Sequence, residues 1–137
     1  MDRLRTILLV DDNFMNRRLV AAMLKGEPYR LVEKEGGREG LDYLLANRGT
    51  IDLVLLDIGI PDLSGTEICR SLREHEDQGK RLPVIAYTAH AMAEERRSIL
   101  AAGFDGILTK PITREEFSSV LKRYLGTAAT PPKEDTP

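Results

Sequence analysis

The sequence predicts an α/β fold in which a parallel β-sheet carries helices on both faces. Three observations point there: short apolar runs alternate with amphipathic stretches along most of the chain, the strongest runs are apolar at every position, and helix start and stop residues fall in the gaps between them. A strand that is apolar along its whole length is one covered on both sides, and strict strand–helix alternation is the pattern of parallel crossover units. The chain has 137 residues, 42% of them hydrophobic and 31% charged, which suits one ordinary soluble domain with its own core.

The first strand is ILLV at 7–10, followed by a helix over 14–25 that Gly26 closes. Asn13 and Asn16 are expected to cap and anchor that helix. YRLVEK at 29–34 is a weaker strand, and a helix over 37–47 follows it. LVLL at 53–56 leads to a helix over 65–75, whose start is marked by Ser64 and Glu67 at capping-box spacing. VIAY at 84–87 precedes a helix over 92–102 closed by Gly103. GIL at 106–108 is again weak, and the last helix, 114–125, starts at a second capping box of Thr113 and Glu116 and stops at Gly126. The two weak strands are expected near the edges of the sheet. Residues 1–126 then form the domain, and TAATPPKEDTP at 127–137, with three prolines and no apolar periodicity, reads as a disordered tail or linker.

The formal charge of −2, with no cluster of Lys and Arg, leaves no footprint for direct nucleic-acid binding. Cys69 is the single cysteine, so no internal disulfide forms, in keeping with a reducing compartment. MDRLRT runs straight into the first strand, which leaves no room for a signal peptide, and no apolar run reaches membrane-spanning length. The expectation is a cytoplasmic protein without membrane contact.

In an open parallel sheet, reactive groups gather where loops leave the carboxyl ends of the strands. Here Asp11 and Asp12 follow the first strand, Asp57 the third, Thr88 the fourth and Lys110 the fifth. Three carboxylates on one rim repel unless a cation sits among them. Mg²⁺ (or Mn²⁺) suits such oxygen donors, and no His or Cys cluster argues for zinc. Lys110 can pair with Asp57 or a phosphate oxygen, and the Thr88 hydroxyl can donate to the same oxygen. A carboxylate in that company is equipped to attack a phosphoryl group and to hold the acyl phosphate formed.

Singly, each residue has a plainer reading. Asp or Asn after a strand is often a helix cap, Asp57 before a Pro-containing loop can be a turn residue, Thr88 fits a structural role and Lys110 a solvated charge. Their joint occurrence at four strand ends favours a site. Cys69, in the stripe Ile68, Cys69 and Leu72, reads as core, His75 as surface, His90 as a loop residue and ERR at 95–97 as a solvated helix face.

Four motifs together, VDDN at 10–13, LLDIGIPDLSG at 55–65, YTA at 87–89 and LTKP at 108–111, resemble the receiver domain of bacterial two-component response regulators over residues 5–125. The DDNFMN and TAHAM segments are most similar to single-domain cell-cycle receivers and to receivers of hybrid kinases. The resemblance implies a flavodoxin-like (βα)5 doubly wound sheet in strand order 2-1-3-4-5. It implies that Asp57 is the phosphoacceptor, that Asp11, Asp12, Asp57 and the backbone carbonyl of Gly59 hold Mg²⁺, that Thr88 and Lys110 receive the phosphoryl oxygens, and that the Lys110–Pro111 bond is cis.

The function so implied is phosphoryl transfer from a phosphohistidine, on a histidine kinase or a histidine phosphotransfer protein, to Asp57. Such a domain is a signalling acceptor, not an enzyme, though self-phosphorylation from small donors and slow autodephosphorylation are expected. Donor proteins would dock near the first helix, with Met15 and Leu19 as candidates. A downstream protein would read the face made by the fourth helix, fifth strand and fifth helix. One departure stands out: Ile107 occupies the fifth-strand position where many relatives carry a switching aromatic ring, and Tyr87 should point the opposite way from Thr88. Output is therefore expected to use Thr88 and the loop and helix after it, through a smaller motion.

Three rivals remain open on the residues alone. A receiver excised from a longer hybrid sensor kinase would carry the same site. An aspartyl phosphatase usually spaces its two aspartates around one residue, whereas here they are adjacent. A flavin carrier of similar topology would want a Ser, Thr and Gly-rich phosphate loop after the first strand, where this chain has carboxylates.

Overall fold

The computed structural model describes residues 4–76, 81–89 and 92–126. His90 and residues 127–137 lie outside the described residues. Among those described, strands and helices alternate without exception: β1 (Arg5–Val10), α1 (Phe14–Leu24), β2 (Tyr29–Lys34), α2 (Gly37–Ala46), β3 (Leu53–Asp57), α3 (Gly65–His75), β4 (Val84–Thr88), α4 (Ala93–Ala101), β5 (Gly106–Thr109) and α5 (Arg114–Leu125). A short 3-10 turn at Arg48–Thr50 was not anticipated. All strand pairs are parallel, in the order β2-β1-β3-β4-β5. The two weak strands are the edges.

The central strands read as unbroken apolar runs because both faces of the sheet are covered. Leu8, Val10, Val54, Leu56, Val84 and Ala86 pack on one side in the cluster that holds Leu44, Ile68, Leu72 and Ile99 of α2, α3 and α4. Ile7, Leu9, Leu53, Leu55, Ile85 and Tyr87 pack on the other, with Val20 and Leu24 of α1 and Phe117 and Leu121 of α5. The period-two alternation between clusters is the pleat itself. Cys69 belongs to the first cluster, and burial pushes its thiol up to about 11, so it stays protonated and inert.

Helix starts follow the side chains available. Asn13, Ser64 and Thr113 each accept a hydrogen bond from the N–H three residues on, at 2.9, 3.3 and 3.1 Å, satisfying one of the donors that a helix leaves open. The first residue of α4 is preceded by Met92, which has no capping oxygen, and there the Glu95 carboxylate takes the Met92 N–H at 3.0 Å.

A charged network closes the end of the sheet opposite the strands' carboxyl termini. Arg73 of α3 donates to the Gly103 carbonyl at 2.9 Å, the Leu82 carbonyl at 2.8 Å, both Glu76 oxygens and Asp105 Oδ2 at 2.8 Å. Asp105 also accepts from the Val84 N–H at 2.9 Å and Arg81 Nε at 2.8 Å. One guanidinium thus joins the end of α3, the entry to β4 and the turn before β5.

Candidate phosphoacceptor and metal site

The carboxyl ends of β1, β3 and β4 and the residue after β5 meet at one rim, because parallel pairing puts every strand exit on the same side. Register fixes what sits beside what: Val10 pairs with Leu56, Asp57 with Tyr87 and Thr88 with Thr109. Oxygens of Asp11, Asp12 and Asp57 lie within 4.8 Å of one another. Asp11 is fully buried and Asp57 is 5% exposed, whereas Asp12 is open to solvent.

Each buried carboxylate is held from one side. Asp57 Oδ1 accepts from the Gly59 N–H at 3.0 Å, and Asp57 Oδ2 from Lys110 Nζ at 3.0 Å. Asp11 Oδ1 accepts from the Asn13 N–H at 2.9 Å, while its Oδ2 lies 3.7 Å from Lys110 Nζ and makes no hydrogen bond. Burial pushes the Asp11 carboxyl up to about 6, with Asp57 adding to the rise and the Asn13 N–H and Lys110 opposing it. One lysine therefore serves two carboxylates and fully satisfies neither. A buried carboxylate oxygen without a hydrogen bond among the described residues, facing two further carboxylates, is a donor set for a hard divalent cation.

The surrounding loops set these positions. Gly65, at the start of α3, is pressed against Asp57: a Cβ there would come within 2.6 Å of the Asp57 carbonyl. The Lys110–Pro111 bond is cis, and the Lys110 N–H donates to the Thr88 carbonyl at 2.8 Å. Arg17 holds the Asp11 carbonyl at 2.8 Å and pairs with Glu33 on β2 at 3.3 Å, which ties the Asp11–Asp12 turn to α1 and the sheet edge. Thr88 ends β4 on the opposite face from Tyr87, half-buried, and Ile107 lies on that same face, packed against the first core cluster.

Sequence reading missed the role of Asp62. Gly36 stands where α2 needs a cap and has no side chain, so Asp62, from the loop after β3, accepts from the Gly37 N–H at 2.8 Å and the Arg38 N–H at 3.0 Å. These bonds hold its carboxyl below the usual carboxylate range. The approach is tight, since a Cβ on Gly37 would meet the Leu63 carbonyl at 2.4 Å. Asp62→Ala is expected to speed hydrogen exchange at the Gly37 and Arg38 amides by at least tenfold while leaving the interior of β3 protected. Equal rates in both proteins would show that the contact does no work in solution.

With fold and rim in place, the class of protein is defined. Residues 7–122 match the family model of the response regulator receiver domain, and the chain belongs to that family, the receiving domains of two-component signal transduction. Among curated proteins it is 34% identical over 124 residues to the polar-differentiation response regulator DivK of Brucella anthropi, covering 90% of this chain and 98% of that one. It is 37% identical over 128 residues to the sensor protein GacS of Pseudomonas syringae, where the match spans 92% of this chain and 14% of the relative. Among solved structures, the receiver domain of the sensor histidine kinase PA1611 from Pseudomonas aeruginosa, with a magnesium ion in its active-site cleft, aligns at 34% identity and a TM-score of 0.79 over 90% of this chain and 98% of that one.

Proposed function

We propose that Asp57 takes a phosphoryl group from a phosphohistidine, and that the domain works as a Mg²⁺-dependent switch in a two-component relay. The observation that carries this reading is the Asp57 carboxylate, nearly buried at a strand end, with a lysine ammonium at 3.0 Å and two more carboxylates alongside. Asp11, Asp12, Asp57 and the Gly59 carbonyl would hold Mg²⁺ (or Mn²⁺), whose positive charge would offset the negative charge of the phosphoryl oxygens and the three acids.

An Asp57 oxygen attacks phosphorus in line with the leaving imidazole nitrogen. The new P–O bond forms as the P–N bond breaks, and the imidazole departs with the electron pair. Lys110 moves its hydrogen bond from Asp57 Oδ2 to a phosphoryl oxygen, and the Thr88 hydroxyl donates to another. The Gly59 N–H keeps the remaining carboxyl oxygen oriented. The chain is thus an acceptor that is itself modified; slow return of Asp57 by hydrolysis is its only turnover.

The donor is a histidine kinase or a histidine phosphotransfer protein. Met15, 70% exposed at the start of α1, and half-buried Leu19 lie beside the rim and suit its docking. Output passes to a downstream protein through α4, β5 and α5, where Leu100, Ile107 and Val120 border a surface hollow of about 320 Å³. With Ile107 in place of a ring, the switch is carried by Thr88 and the segment leading into α4. We assign residues 1–126 to this domain and 127–137 to a tail or linker, and place the protein in the cytoplasm, where ATP-dependent kinases make the donor. No helix among the described residues is long and apolar enough to cross a membrane.

Incubation with acetyl phosphate and Mg²⁺, followed by intact mass, tests the reading. Wild type is expected to gain one phosphoryl group and Asp57→Asn none. An adduct that persists in the variant would overturn the acceptor assignment.

A further inference from the structure

Tyr87 is fully buried, pairs in register with Asp57 on the neighbouring strand and shares its face of the sheet, yet its hydroxyl has no hydrogen-bond partner among the described residues. Nothing in the proposed transfer step uses it. Its ring lies under the reactive lysine, with Lys110 Nζ 5.0 Å from the ring centroid. The ammonium therefore lies over an aromatic face while it also contacts Asp57 at 3.0 Å and Asp11 at 3.7 Å. Burial, with Asp11 and Asp57 close by, pushes the phenol up to about 12, so the ring is neutral and its face keeps the negative potential that attracts a cation.

We propose that Tyr87 is a positioning residue for phosphoryl transfer, its ring serving as the platform that holds the Lys110 ammonium over Asp57. The inference rests on the function proposed above. A lysine side chain carries several rotatable bonds and a strongly hydrated head, and here it must stay close to two acids while leaving Asp57 Oδ2 for an incoming oxygen. An aliphatic residue in this position would keep the site apolar but give the ammonium no attraction. The π-face is non-directional enough to keep hold of Nζ through that short shift, which a hydrogen-bond acceptor fixed at one point would oppose. The work is done by the ring, and the unpartnered hydroxyl is not needed for it.

The test is a double-mutant cycle on the rate of Asp57 modification by acetyl phosphate with saturating Mg²⁺, using Tyr87→Leu, Tyr87→Phe and Lys110→Met, with urea denaturation of each variant to verify folding. Tyr87→Leu is expected to slow modification about tenfold, and Tyr87→Phe to restore the rate. In the Lys110→Met background, Tyr87→Leu is expected to change the rate by less than twofold. The upfield ring-current shift of the Lys110 ε-protons should disappear in Tyr87→Leu and remain in Tyr87→Phe. An equal loss from Tyr87→Leu with and without the lysine, or a phenylalanine variant as slow as leucine, would overturn the inference while leaving Asp57 as the acceptor. Undiminished modification of Asp57→Asn would instead remove the reading beneath it.

Discussion

Asp11→Asn is expected to fold more tightly than wild type in metal-free buffer at neutral pH, by about 2 kcal/mol, and to lose the stabilisation that Mg²⁺ confers on wild type. The Asp11 carboxyl is raised from 3.8 to about 6 in the folded protein. Between those values the folded chain holds a proton that the unfolded chain has released, so stability falls as pH rises through that interval and the full penalty applies above it. That displacement, with the opposing attraction of Lys110 already included, corresponds to about 3 kcal/mol, and the cost of burying the asparagine amide trims it. The asparagine carbonyl can still accept from the Asn13 N–H, so the turn keeps its anchor. At pH 4 the variant and wild type should converge, because the carboxyl is then protonated when folded. Metal binding must expel that proton, so the Mg²⁺-induced rise in Tm should grow from pH 5 to pH 7 in wild type. Urea and thermal denaturation with chelator or Mg²⁺ check all of this. A variant no more stable than wild type at neutral pH, or one still stabilised normally by Mg²⁺, would contradict it.

Arg73→Ala is expected to cost about 3 kcal/mol and lower Tm by on the order of 10 °C. The side chain is 14% exposed, and its two acidic partners, Glu76 and Asp105, are 12% and 17% exposed. Truncation leaves both carboxylates partly desolvated, strands the Leu82 carbonyl and takes one of two donors from the Gly103 carbonyl. Arg81 also reaches Asp105 and the Gly103 carbonyl, but from a side chain that is 57% exposed, so it replaces little of the loss. Arg73→Lys should recover less than half, since one ammonium cannot span donors pointing at four groups. A loss under 1 kcal/mol in denaturant titration would show the network to be idle.

The central strands were legible because full coverage on both faces writes itself as continuous apolar residues. Their ends were not. β1 begins at Arg5, two residues before its apolar run, because Arg5 and Thr6 pair through backbone with Tyr29 and Arg30 although neither side chain is apolar; Thr6 is buried all the same. The convergence of Asp11, Asp12, Asp57 and Lys110 was legible for a topological reason: parallel strands deliver all their exits to one side. Contacts between distant loops left no such trace. Asp62 caps a helix that starts 25 residues earlier, and Arg73 of α3 reaches Asp105, 32 residues on, with no spacing in the sequence to announce it. Gly59 was expected to act through its carbonyl; the structure adds that its N–H orients Asp57. The direction that keeps Tyr87 from serving as a switch is the one that puts it beneath Lys110.

The borrowed cap on α2 has a consequence for building hybrids of this domain. A graft that moves the 58–64 segment into another receiver, to alter the surroundings of Asp57, also removes or supplies the group that begins a helix encoded far upstream. The two segments are one exchangeable part, and chimaeras that split them should arrive with a frayed α2, whatever their sequence identity elsewhere.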